Sequence, residues 1–390
     1  MSGPTHDSAV DADAHASWAH RVAGALSHRD FRLVWFAALG STIGTWMQKF
    51  AQSWLVLELT NSNFYLGLDD FLSQLPILLF MLIGGVIADR YDRRRLLTWS
   101  QYVQAFSAFA LAGLVYTGSV TIAHVLILSF ISGCAQAFGG PAYQSMLPSL
   151  VPRRDLPNAI ALNSTQFNLS RVLGPMGGTA ILVGLGMAWC FFVNALSFFF
   201  VVIALMMIKP LPASLSTSRQ NIWTDLRGGL DYVRGERLLL TLTALVVVST
   251  FLAMPILTLL PTFARTVLAD AGGTPETRLS VLMACQGAGA IVGALIVGTL
   301  GRFRNMGLFL LAVQCLMGVA IAGFAMSRVP MLSYGLIFVC GILFMALFSI
   351  SFSIVQLAVP EQLRGRVVSI YMVALRGGGP IGALAAGALA

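Results

Sequence analysis

Charge is what this sequence has least of. Its 16 Asp and Glu and 24 Lys and Arg make up 10% of 390 residues, against roughly 25% in an ordinary soluble domain. So few charges cannot build a water-facing surface. Hydrophobic residues account for 57% of the chain and the mean hydropathy is +0.80, more apolar surface than the cores of a soluble chain of this length can hold. A bilayer must cover the remainder. Cysteine is also scarce: Cys134, Cys190, Cys285, Cys315 and Cys340 all lie in apolar segments without a CxxC pair, which excludes a disulfide framework and a cysteine zinc site. There is no Walker lysine motif, nucleophile elbow or metal-ligand cluster, so neither ATP-driven work by this chain alone nor an enzyme is indicated, and no cofactor or metal is expected. The net charge of +8 would suggest nucleic acid in a soluble protein. Here the basic residues sit between long apolar runs, and membrane topology explains them better.

A spanning helix needs about 20 apolar residues, and eleven runs qualify: 33–57, 66–88, 96–117, 121–140, 158–183, 187–208, 239–263, 279–300, 306–326, 331–355 and 367–390. With a cytoplasmic N-terminus, 18 of the 24 Lys and Arg fall on the cytoplasmic side, three on the other, and Lys49, Arg171 and Arg376 inside spans. That bias sets the expected orientation. Residues 1–30 lack the apolar core of a leader and read as a disordered cytoplasmic tail. The segments then group as 31–208, with six spans, and 239–390, with five. The connection 209–238 places Ile222, Leu226, Leu230 and Val233 on one helical face, as in an amphipathic helix lying on the membrane surface.

The two groups repeat one another. Arg171-Val-Leu-Gly174-Pro175-Met-Gly177 and Arg376-Gly-Gly-Gly379-Pro380-Ile-Gly382 share R-x-x-G-P-x-G in the fifth and eleventh spans, the mark of a duplicated six-plus-six transporter. The same offset places the partner of span six beyond Ala390, so a twelfth helix is expected to be absent from these residues. Gly174, Pro175, Gly379 and Pro380 are candidate hinges, or equally sites of close helix packing.

At the end of the second span stands Gly85-Val-Ile-Ala-Asp89-Arg90-Tyr-Asp92-Arg93-Arg94-Arg95. It resembles the G-x-x-x-D-R-x-G-R-R loop of the major facilitator superfamily, with Asp92 in place of the second glycine. Further strings narrow the match: Trp54 to Thr60, Gly140-Pro141-Ala142-Tyr143-Gln144, Leu162-Asn163-Ser164, and Val359-Pro360 through Arg364-Gly365-Arg366. Over about 30–390 the chain is similar to the bacterial branch that contains the enterobactin exporter and the macrolide-efflux proteins. The resemblance implies an all-helical, multi-pass protein of the bacterial cytoplasmic (inner) membrane that exports a small amphipathic molecule, siderophore-like or drug-like, by alternating access driven by the proton gradient. It also implies that Gly85, Asp89, Arg90 and Arg93 form a conformational latch, although the arginines could be purely topogenic. Rivals are a solute importer of the same fold and a non-transporting membrane scaffold or sensor.

Polar residues inside the spans are the candidate substrate contacts, because a polar stripe in lipid is costly and should face a wet cavity. Thr45, Lys49 and Gln52 lie on one arc of span one, with Thr42 and Ser53. Asn163 and Gln166 precede Arg171 on span five, and Arg376 is its repeat counterpart. Hydrogen bonding between helices is the competing role, and for the two arginines so are carbonyls freed by the prolines. No acid is expected at the depth of Lys49, which makes it the strongest substrate-contact candidate and points to anionic ligands. Glu58, Asp69 and Asp70, near the outer end of the first hairpin, are candidates for coupling to a proton gradient, or simply solvated interfacial groups. The expected partners are a small-molecule substrate, the proton gradient and membrane lipid; oligomeric state is open.

Overall fold

In the computed structural model, the described residues are 24–209, 222–269, 272–301, 305–360 and 363–390. Among them the regular structure is helical throughout. Six long helices come first: α1 (Arg29–Thr60), α2 (Asn63–Arg90), α3 (Arg93–Tyr116), α4 (Ile122–Met146), α5 (Leu156–Leu185) and α6 (Met187–Met207). A shorter α7 (Ile222–Gly235) precedes α8 (Arg237–Ala253), α9 (Pro275–Leu300), α10 (Met306–Met326), α11 (Pro330–Ala358) and α12 (Arg364–Leu389). Seven of these segments, α4, α6 and α8 to α12, are long and apolar enough to cross a membrane on length and composition alone. The long helices outside that set, α1, α2, α3 and α5, carry amide or charged groups such as Gln52, Asp69, Gln104 and Arg171 along their lengths.

Two boundaries differ from the sequence reading for identifiable reasons. Ordered chain begins ahead of residue 31, with a helical turn at Gly24–Ser27 whose Ala25 is fully buried; its amide donates to Asn158 Oδ1 on α5 (2.9 Å). The segment expected over 239–263 lies within one apolar stretch long enough to cross a membrane, Arg237–Val267, within which α8 itself ends at Ala253. Pro255 and Pro261 divide the continuation into Pro255–Thr258 and Leu260–Thr262, followed by a π-helical turn at Phe263–Val267, because proline removes a ladder hydrogen bond and crowds the preceding turn. In α7, Val233 is buried and Leu230 exposed, whereas the side chains of Ile222 and Leu226, like residues 210–221, lie outside the described set.

Packing repeats along the chain. The pairs α2 with α4, α1 with α5 and α3 with α4 recur as α9 with α11, α8 with α12 and α10 with α11. Two seams join the groups: α5 against α9, and α12 against α2. The run Gly287-x-Gly289-x-x-x-Gly293, which lacks the context of a dinucleotide loop, serves helix packing. A Cβ on Gly293 would lie 2.9 Å from the Ile342 Cα of α11. On the face carrying the α1–α2 turn, Arg265 and Thr262 donate to the side chains of Asn61 and Asn63, tying the end of the α8 continuation to that turn.

Candidate functional site

The polar groups inside the helices meet around α1. Gln52 donates through Nε2 to both Asp69 carboxylate oxygens on α2 (3.0 and 2.9 Å) and to Ser129 Oγ on α4 (2.8 Å). The Ser129 hydroxyl donates to Asp69 Oδ1 at 2.5 Å. One turn away, Lys49 Nζ pairs with Asp70 Oδ1 at 3.2 Å. Lys49 therefore has an acid at its depth, contrary to the sequence expectation. The reason is geometric: α2 begins at Asn63, ahead of the assigned span at 66, so Asp70 lies about 10 Å along an ideal helix, within reach of a long lysine stem.

Trp46 joins this cluster to the seam between α5 and α9. The Lys49 ammonium lies 5.8 Å from its ring centroid and the Arg171 guanidinium 5.3 Å, both within the range of cation–π attraction. Arg171 also donates to Gln286 Oε1 on α9 (2.6 Å), while its buried Nε has no hydrogen-bond partner. The carbonyls near Pro175 are not its partners among the described residues. Phe167 meets Trp46 edge-on at 6.0 Å. Two cations over one indole, with a buried guanidinium N–H still unpaired, form a locus suited to an anionic or electron-rich planar group.

Other candidates are placed elsewhere. Thr45 is exposed one turn from Lys49, its hydroxyl on the Ser41 carbonyl (2.9 Å). Gln166 is buried and donates to the Ala38 carbonyl and Thr42 Oγ1 of α1 (3.0 and 2.7 Å), where it holds two helices together. Asn163 accepts from the Tyr143 hydroxyl of α4 (2.8 Å). Glu58 is exposed and accepts from Trp54 of its own helix (2.9 Å), apart from Asp69 and Asp70. Arg376 stands exposed at the α2–α12 seam, with no hydrogen-bond or ion-pair partner among the described residues.

The glycines near the repeated prolines sit at close approaches. A Cβ on Gly174 would strike Trp46 Cβ and come within 2.9 Å of the Ile43 carbonyl oxygen; one on Gly378 would strike Thr250 Oγ1 and lie 2.5 Å from the Val247 carbonyl oxygen. Helices α5 and α12 run through Pro175 and Pro380 without interruption. In the loop after α2, Asp92 caps α3 by accepting from the amides of Arg94 and Arg95 (2.9 and 3.3 Å), and Arg93 donates to the Ser145 carbonyl of α4 (2.8 Å). The side chains of Gly85, Asp89 and Arg90 lie outside the described set.

Sequence reasoning missed Trp46, Gln48, Ser129, Asn194 and Gln286. Ser129, Asn194 and Gln286 were detectable as isolated polar residues in apolar spans four, six and eight.

Comparison with known proteins agrees with this architecture. The Tap multidrug efflux pump of Mycolicibacterium fortuitum is 27% identical over 367 residues, 92% of this chain and 88% of that protein. The enterobactin exporter EntS of Salmonella typhi is 24% identical over 381 residues, 96% and 88% of the two chains. The structure of a bacterial homologue of the lysosomal transporter Spinster, inward-facing and occupied, superposes with a TM-score of 0.71 at 14% identity over 93% of this chain and 82% of that one. The family model described as transmembrane secretion effector matches residues 21–390, and the chain accordingly belongs to that family of major facilitator transporters, multi-pass membrane proteins that move small molecules rather than enzymes.

Proposed function

We propose that this transporter exports a small anionic or oxygen-rich amphipathic molecule, siderophore-like or drug-like, from the bacterial cytoplasm, with the N-terminus cytoplasmic and the proton gradient as driving force. One observation carries the reading: Lys49 and Arg171 converge on Trp46, where the two groups of helices meet. Buried or cavity-facing cations are retained at a cost of at least about 2.5–3.5 kcal/mol each in a membrane, and a ligand anion repays that cost. Two of the similar proteins, a multidrug efflux pump and an enterobactin exporter, are consistent with such a ligand.

Alternating access then consists of rocking α1–α6 against α8–α12 about the α5–α9 and α2–α12 seams, with Lys49, Arg171, Thr45 and Arg376 as ligand contacts. Gln166 and Asn163 contribute by fixing α1 and α4 against α5. Gly85, Asp89, Arg90 and Arg93 bias the closed state of the face they occupy. Asp69 and Asp70 take the proton. Charge alone makes an anion on Lys49 favour a proton on Asp70, the coupling of co-transport, so exchange requires that the carrier loaded with both ligand and proton does not reorient. The test is transport by inverted membrane vesicles given a catecholate siderophore: accumulation that rises with an inside-acid gradient supports the proposal, and gradient-independent accumulation or exclusion opposes it.

A further inference from the structure

The hydrogen bonds around Asp69 do not end at Gln52. The Gln52 Oε1 accepts from Gln48 Nε2 (3.4 Å), Gln48 Oε1 accepts from Asn194 Nδ2 on α6 (2.6 Å), and Asn194 Oδ1 accepts from the Ser197 hydroxyl (3.1 Å). Every donor in this series points the same way, from α6 through α1 to the carboxylate on α2. Asn194 and Ser197 are buried, and space for the Asn194 amide exists because position 44 is glycine, whose Cβ would stand 2.5 Å from Asn194 Oδ1. A side-chain amide has one accepting and one donating end, so reversing any member forces its neighbour to reverse or lose its bond.

We propose that Gln52, Gln48 and Asn194 form a polarised amide chain that tunes the proton affinity of Asp69 and carries the loss of its charge to α6. This rests on the proton-coupled reading above. The ionised carboxylate accepts from Gln52 and Ser129. When a proton from water forms the O–H bond on Asp69 Oδ2, whose one hydrogen-bond donor among the described residues is Gln52, that oxygen becomes a donor and the Gln52 amide hydrogens must turn away from it, while Oδ1 remains an acceptor for Ser129. Gln52 then presents Oε1 to Asp69 and Nε2 to Gln48, and the reversal passes along to Asn194, loosening the tie between α1 and α6. Gln48 and Asn194 are thus positioning residues that never touch the proton.

The charged groups acting on Asp69 are Asp70 and Lys49. On its own helix Tyr65, Asp89 and Arg90 are the other ionisable residues, and α1 adds Glu58, which is bonded to Trp54, and Arg29, Asp30 and Arg32 in its first turn. Helix α4 brings His124, held in the cap of that helix, Cys134, and Tyr143, bonded to Asn163. Helix α12 brings Arg364, Arg366, Arg376, and Tyr371, bonded to Ser351. None of these other groups closes the amide series, so its polarity is set at the Asp69 end.

The experiment titrates the infrared carbonyl band of a protonated carboxyl group in reconstituted protein without ligand, the Asp69→Asn variant assigning the band. Donors to the charged form favour it, so removing them raises the midpoint. Gln52→Met should shift it up by about one pH unit, tenfold in proton affinity. Gln48→Met, with Asn194→Leu as the second variant, should each shift it up by about 0.3 unit, since polarisation along a series is a fraction of each bond. A merely structural role would leave the midpoint in place. Shifts confined to Gln52→Met, with both remote variants within about 0.1 unit of the wild type, would overturn the chain while leaving Asp69 as the proton site. A band that stays undiminished in Asp69→Asn and in Asp70→Asn alike would instead overturn the proton reading itself.

Discussion

Removing either half of the Lys49–Asp70 pair should change ligand affinity in opposite directions. Asp70 is the built-in anion that a ligand must displace from Lys49, so Asp70→Asn should tighten binding of an anionic ligand and Lys49→Gln should weaken it. At 3.2 Å the Coulomb attraction is about 5 kcal/mol at an effective dielectric of about 20 and about 1.3 kcal/mol at the value for water. The Lys49 side chain is 52% exposed and Asp70 17%, and screening by cavity water brings the pair toward the lower limit, about 1 kcal/mol. That converts to roughly fivefold tighter binding in Asp70→Asn. Titration calorimetry of detergent-purified protein with a catecholate ligand measures it, and the double variant should remove the advantage of Asp70→Asn. Weaker binding in Asp70→Asn, equal to that in Lys49→Gln, would refute the reasoning, because it would make the intact pair rather than the free cation the binding element.

Other outcomes follow from the same geometry. Glu58→Gln should leave the response of transport to an imposed pH gradient unchanged, since Glu58 bonds only within its helix, whereas Asp69→Asn should abolish it; vesicle transport at two gradients distinguishes them. Gly174→Val should lower the melting temperature through about 1–3 kcal/mol of overpacking against Trp46 and Ile43, while Gly177→Ala, with nothing within 4 Å of the added Cβ, should not. His28 Nε2 lies 2.7 Å from Asp155 Oδ2, and that hydrogen bond, opposed by partial desolvation and aided by Arg154, holds the Asp155 carboxyl below its usual range. A depressed carboxylate stabilises the fold above its unfolded value near 3.9 and ceases to as pH falls through the folded value. The thermal stability of Asp155→Asn should therefore differ from the wild type at pH 7 and converge with it in acid.

How far the sequence reaches depends on the range of the forces involved. The duplicated R-x-x-G-P-x-G motif and the long apolar runs are local signals, and they foretold helices and paired packing that the structure displays as α1 with α5 and α8 with α12. Periodicity along α1 brought Thr45, Lys49 and Gln52 to one arc. It could not show that α2 carries Asp70 to Lys49, because helix tilt and lysine reach are set in three dimensions. Nor could it show that Gln166, on an equally polar stripe, turns to the α1 backbone. Trp46 escaped notice for a related reason: a search for polar stripes passes over an aromatic residue, although its face is what draws two cations together. The local helix breaks after Ala253 were readable from Pro255 and Pro261, within a stretch that still forms one apolar span, Arg237–Val267.

The most direct test of the central claim, that this chain exports an anionic ligand held through Lys49, is counterflow in proteoliposomes of known sidedness. Wild-type protein should move a catecholate siderophore from the face carrying the α2–α3 loop to the face carrying the α1–α2 turn, Lys49→Gln should lose at least about fivefold of that flux through weaker binding, and lipophilic cations should be poor substrates. Wild-type flux in Lys49→Gln, or transport restricted to lipophilic cations, would contradict the claim.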